Sequence, residues 1–169
     1  MIEFEETLRR CRKPLLSMAW RMLGDREEAE DAVQEAFIRF WQLDPAAENP
    51  DGRFSLLARM VVNRCLDQLR RRKRRMLIPP GWLGERVAPE NPETLLDRRD
   101  LESAILKTAD RLRPKQKAVF LLRDVEGYPV KEIADMLGDT ENGIRVNLHL
   151  ARKNMRKWLK PLIGGPESR

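Results

Sequence analysis

The sequence predicts an all-α protein of two small helical domains joined by a flexible linker, the C-terminal one containing a helix-turn-helix. Three observations carry this. Aliphatic residues recur every three or four positions through most of the chain, the period of a helix face. No alternation of apolar and polar residues is long enough for a strand. Between Met76 and Pro92 the periodicity fails, and Pro79, Pro80, Gly81, Gly84, Pro89 and Pro92 interrupt any regular element. The chain therefore divides into residues 1–76, a linker over 77–92, and residues 93–169.

A first helix collects Phe4, Leu8, Cys11, Leu15, Met18, Ala19 and Met22 on one face, and Pro14 is expected to kink or restart it. Gly24 stops it. Asp25, with Glu28 three residues on, reads as a capping box opening a second helix to about Leu43. That helix gathers Ala29, Ala32, Val33, Ala36, Phe37 and Phe40. DPAAENPDG reads as a loop. A third helix carries Phe54, Leu57, Ala58, Val61, Val62, Cys65, Leu66 and Leu69, and ends in an unbroken basic run over 70–75. After the linker, helical spacing resumes with Leu95, Leu96, Leu101, Ala104, Ile105 and Leu112. Pro114 suits the first turn of the helix KQKAVFLLRDV, which Gly127 ends. VKEIADML stops at Gly138, and a last helix runs from near Thr140 through Trp158.

Composition narrows the function. Lys and Arg number 33 against 27 Asp and Glu, a net charge of +6 that favours a polyanionic partner, nucleic acid before membrane. No apolar run reaches membrane-spanning length. The start, MIEFEETLRR, is acidic and amphipathic, unlike a signal peptide. Cys11, Cys65 and the single histidine, His149, form neither a metal-spaced cluster nor a disulfide framework. A protein of the reducing cytoplasm, without metal or cofactor, is expected. Asp31 and Glu35 share a helix face, but no histidine, glycine-rich loop or nucleophile motif accompanies them, so no enzyme is predicted.

The strongest local signal lies between Val130 and Leu150: a short helix, a tight turn at Gly138-Asp139, and a longer helix. Ile144, Leu148, Ala151 and Met155 line one face of the last helix, which turns Asn142, Arg145, Val146, His149, Arg152 and Lys153 the other way. Arg145 and Asn142 suit bidentate contacts with guanine and adenine edges. This combination favours DNA binding over a merely solvated face. The basic run, with Arg53, Arg59, Asn63 and Arg64 on the same helix, reads as a phosphate-tracking surface or as a solvated helix end. On the second helix, Asp31, Gln34, Glu35 and Ile38 lie off the apolar stripe. They read either as a dipole-satisfying acidic start or as a docking face for a basic protein. Trp20, Trp41 and Trp158 are expected to pack; Trp82, in the linker, either anchors the domains or grips a partner. Cys11 and Cys65 are expected to be small buried groups.

DREEAEDAVQEAFIRFW resembles region 2.2 of extracytoplasmic-function (ECF) sigma factors, the small members of the sigma-70 family of bacterial RNA polymerase subunits. RFSLLARMVVNRCLDQLRRRKRR and LRPKQKAVFLLRDVEGYPVKEIADMLGDTENGIRVNLHLARKNMRKWL are similar to regions 2.3–2.4 and 4, in the family's order. The resemblance implies a non-catalytic subunit that directs core RNA polymerase to promoters and assists strand opening. Asp31, Gln34, Glu35 and Ile38 would dock on the clamp helices of the polymerase largest subunit. The loop over 43–53 and the helix bearing Arg53, Arg59, Asn63, Arg64, Asp67, Arg70 and Arg71 would engage the minus-ten element. Asn142, Arg145, Val146, His149, Arg152 and Lys153 would face the minus-thirty-five element. Further contacts with the polymerase flap region, and an anti-sigma factor as an optional partner, complete the implied set. The recognition helix departs from the common pattern: Val146 loses a hydroxyl, and Asn147 and Leu150 stand where basic residues are frequent.

Overall fold

The computed structural model describes residues 2–43, 49–76 and 98–163, and among them all regular structure is helical. The first helix, α1 (Ile2–Leu23), forms because Cys11, Leu15, Met18, Ala19 and Met22 fall on one buried stripe. It runs unbroken through Pro14, contrary to the expected restart. Proline removes one backbone donor, but Pro14 and Arg10, whose carbonyl loses its partner, are both exposed. At its end Gly24 takes a positive φ of 69° and donates its N–H to the Trp20 carbonyl at 2.7 Å.

Asp25 caps α2 (Arg26–Gln42), its carboxylate accepting from the Glu28 N–H at 2.9 Å. Only this half of the expected box forms. The Glu28 carboxylate instead pairs with Arg72, which also donates to the Leu23 carbonyl at 2.6 Å and so closes the end of α1. Helix α3 (Pro50–Met76) starts inside the segment expected to be loop. Asn49 accepts from the Gly52 N–H at 2.7 Å through its side chain, and Pro50 takes the first helical position, where a missing N–H costs nothing. Residues 44–48 lie outside the described residues. The three helices pack pairwise around Leu15, Met18, Met22, Phe40, Leu57, Val61 and Val62.

Beyond residue 97 come α4 (Arg98–Ala109), α5 (Pro114–Phe120), a π-helical turn (Leu121–Val125), α6 (Val130–Leu137) and α7 (Glu141–Ile163). The helix expected to run to Gly127 changes its final turn to π, with the Glu126 N–H bonded to the Leu121 carbonyl at 2.9 Å. The widened turn buries Leu121 and Leu122 together and leaves Asp124 facing outward. Gly138, at φ 61°, ends α6 as expected. Val119, Leu122, Ile133, Ile144, Leu148, Ala151 and Met155 fill this half. Trp158 packs against it beneath the Arg111 guanidinium, 4.3 Å from the ring centre. Trp20 and Trp41, expected to pack, are instead half-exposed. Trp82, Leu95 and Leu96 lie outside the described residues, as does the rest of the linker.

The two helical groups pack against each other: α3 lies along α5 and α6, and the end of α1 meets the π turn. Among the described residues no helix is long and apolar enough to cross a membrane.

Both cysteines are buried and free. Burial pushes the Cys65 thiol up to about 12, against the opposing pull of nearby Arg64, Lys117 and Arg72, and burial raises Cys11 as well. Native protein at pH 8 is expected to leave both thiols unreacted with Ellman's reagent, whereas guanidinium-unfolded protein releases two equivalents at once. Rapid native labelling of either would contradict the buried placement.

Candidate protein- and nucleic-acid-binding faces

Three exposed stripes emerge from the core pattern, one on each long helix that follows a cap. On α2, burial of Ala29, Ala32, Val33, Ala36 and Phe40 turns Asp31, Gln34 and Ile38 to solvent, and Ile38 is 60% exposed. Glu35 lies on the same stripe but is half-buried. Its carboxylate is shared between Arg39, at 2.7 Å, and Arg64 of α3, at 2.6 Å. Sequence reasoning missed two neighbours, Trp41 at 54% and Leu43 at 58% exposed, which extend the stripe into an apolar end. Spacing could have found Trp41, since it stands three residues beyond Ile38 and seven beyond Gln34. The Phe4 ring meets its edge at 4.3 Å.

On α3, Arg59, Asn63, Asp67, Arg70 and Arg71 follow one another at helical spacing and are all exposed. Arg64 points aside to Glu35, tying this helix to α2. Arg53 is half-buried in the first turns. Asp67 lies 3.6 Å from Arg70 and tempers the charge of the stripe. Part of the stripe is engaged within the chain: the Asn63 side-chain amide donates to the Met136 carbonyl of α6 at 3.4 Å.

The turn before α7 is fixed by short polar contacts. Thr140 accepts the Gly143 N–H at 3.0 Å through its hydroxyl, and Asp139 accepts the Thr140 N–H at 2.7 Å. Lys115 of α5 bonds Asp139 at 2.5 Å and, with that amide, holds its carboxyl below the usual value. A β-carbon at 143 would stand 2.5 Å from an Asp139 carboxylate oxygen, so a larger residue there would push this carboxylate from its place. From this anchored start α7 presents Asn142, Arg145, Val146, His149 and Lys153 together, all exposed. Val146 is 50% exposed, and Leu150, which the sequence reading left out of the site, flanks it. Asn147 donates to the Gly143 carbonyl at 2.9 Å and is occupied locally. Arg152 is also committed, through two bonds to Asp124 at 2.6 and 2.8 Å that brace α7 against the π turn.

Residues 7–75 match the family described as Sigma-70 region 2, and residues 102–155 match Sigma-70, region 4. The ECF RNA polymerase sigma factor SigG of Mycobacterium tuberculosis is 33% identical over 86% of this chain and 45% of its own length. SigE of Mycolicibacterium smegmatis is 31% identical over 94% of this chain and 62% of its own. This chain thus spans about half the length of the curated relatives it matches. The structure of sigma factor RpoE from Bartonella quintana, in complex with the anti-sigma factor NepR, superposes with a TM-score of 0.69 at 22% identity. It covers 95% of this chain and 98% of that one, a likeness of fold. The first match contains the acidic α2 stripe and the basic α3 stripe, and the second contains the braced recognition helix. With both regions present in order and relatives of one kind along nearly its whole length, the chain belongs to the sigma-70 family, in its extracytoplasmic-function group.

Proposed function

We propose that this protein is a promoter-specificity subunit that binds core RNA polymerase and directs transcription initiation, acting in the cytoplasm and performing no catalysis itself. The observation that carries the reading is the α2 stripe. In a chain of net charge +6, an exposed acidic and apolar face at Asp31, Gln34 and Ile38 is unsuited to DNA. It suits a basic protein partner, the clamp helices of the polymerase largest subunit, with the flap region engaging the C-terminal half. Helix α3 takes the minus-ten element through Arg59, Asn63, Asp67, Arg70 and Arg71, with Arg53 and Arg64 supporting it. Helix α7 takes the minus-thirty-five element. A free-standing helix-turn-helix regulator has no use for the α2 stripe. An anti-sigma factor of the kind bound to the Bartonella protein belongs to the same reading. Pull-down of core polymerase by the full chain tests it: retention is expected, and loss of retention at moderate salt would favour the regulator.

On α7, Asn142 and Arg145 supply the hydrogen bonds to base edges, and Lys153 and His149 reach base or phosphate beyond them. Val146 supplies an apolar contact of the type that meets a thymine methyl group. Arg152 braces rather than reads. Arg145→Ala is expected to relax discrimination at one or two base pairs, costing about 1–3 kcal/mol there, as measured by holoenzyme binding to a promoter library. A uniform loss over all sequences would assign Arg145 to phosphate alone.

A further inference from the structure

We propose that Val146 and Leu150 act together as a reader of thymine methyl groups, so that the minus-thirty-five element of this protein carries two thymines on one strand, successive or one pair apart. The inference deepens the assignment of α7 to that element and rests on it. Val146 and Leu150 stand one helical turn apart and are 50% and 41% exposed. Asn142, Arg145, His149 and Lys153 surround them, all exposed. Lys153 and Lys157, three and seven residues beyond Leu150, continue the same ridge and are exposed too. A ridge that is apolar near the start of a recognition helix and cationic beyond it suits base edges first and phosphates as the helix leaves the groove. Its cationic surround fits DNA rather than an apolar protein surface.

Neither side chain can donate or accept a hydrogen bond, and the thymine C5-methyl is the apolar group that a base pair shows in the major groove. The nearby polar side chains that could bring a hydrogen bond to this ridge are held elsewhere. Asn147, between the two in sequence, donates to the Gly143 carbonyl at 2.9 Å, and Arg152 is bonded twice to Asp124, at 2.6 and 2.8 Å. A guanine or adenine edge set against Leu150 would lose water from its acceptors without gaining a donor. The pair therefore penalises those bases as well as favouring thymine, and discrimination draws on both effects. At the helical rise the two side chains lie about 6 Å apart along the axis, close to two base steps of about 3.4 Å. Two methyl groups on one strand come within reach of the pair at once.

The test uses holoenzyme made with the full chain. It first selects its minus-thirty-five element from a randomised promoter library. Each thymine of the selected element is then replaced by deoxyuridine, which removes only the methyl group, and binding is measured by competition. At two thymines the replacement is expected to weaken binding about fourfold each, the worth of one buried methyl group. Leu150→Ala is expected to abolish the thymine-to-uracil ratio at one of these positions, and Val146→Ala at the other. Both residues are exposed on a helix, where alanine is well tolerated, so the variants keep the fold. Uracil without effect at every position overturns the proposal. Ratios that persist in both variants overturn it as well, since the methyl groups would then act through DNA shape or another residue. Weaker core polymerase binding by Leu150→Ala, with the ratios unchanged, would place Leu150 against protein instead. Failure of the α7 assignment itself is read separately, as holoenzyme indifferent to exchange of the whole minus-thirty-five element and to Arg145→Ala.

Discussion

Asp31→Arg is expected to weaken core polymerase binding by about 2–5 kcal/mol if its partner charge is left buried and unpaired, and by less at a rim. Asp31 is exposed, and among the described residues it has no ion-pair partner, so nothing inside the chain depends on its charge. Its circular dichroism and melting temperature should therefore match the parent. Glu35→Arg makes the informative contrast. Glu35 joins Arg39 on its own helix and Arg64 on α3, so reversal places three cations together and loosens α2 from α3. Half-exposed pairs contribute about 1 kcal/mol or less each. Glu35→Arg should consequently lower the melting temperature as well as the affinity. Biolayer interferometry against core enzyme, run beside thermal denaturation, separates the two effects. Unchanged affinity in Asp31→Arg would return the α2 stripe to plain solvent exposure.

That contrast marks where sequence reading reaches and where it stops. Signals that act within a turn or two were legible: the Asp25 cap, the glycines at 24 and 138, the proline opening α5, and the apolar stripes of α3 and α7. Signals decided by a partner far along the chain were not. Glu28 has the spacing of a capping box, yet Arg72, 44 residues away, takes its carboxylate. Arg152 looks like a phosphate contact until Asp124, 28 residues earlier, is brought beside it by the π turn. Pro14 takes one backbone bond from α1, yet the helix continues, the freed Arg10 carbonyl lying where water can reach it. An aromatic residue beside an apolar stripe usually packs, and spacing alone predicts that for Trp41. It is half-exposed because its neighbour Phe40 takes the buried position, leaving Trp41 only an edge contact with Phe4 of α1. The docking of α6 on α3 has no local signature, since it joins residues 73 positions apart through a backbone carbonyl.

Strand opening is the other large effect expected, and it separates a sigma factor from a free-standing regulator by presence or absence rather than by degree. Holding an extruded base costs a few kcal/mol per nucleotide in lost stacking. Among the described residues, the α3 stripe of Arg59, Asn63, Asp67, Arg70 and Arg71 contains no aromatic ring on which such a base could stack. In the free chain Asn63 is also engaged by α6. Isolated protein should therefore bind duplex promoter weakly, with a steep loss as salt rises, because phosphate contacts supply nearly all of the affinity. Docked through α2, the same helix shares the unstacking cost with the enzyme's own contacts to the separated strands. Permanganate footprinting should show unpaired thymines over the minus-ten element with core enzyme and this protein together, and none with either alone. Asn63→Ala should reduce that reactivity while leaving core binding intact, since Asn63 lies on α3 and away from the α2 stripe. Tight protection of a duplex by the protein alone, with no opening on addition of core enzyme, would instead describe a repressor or activator that reads an intact groove through α7.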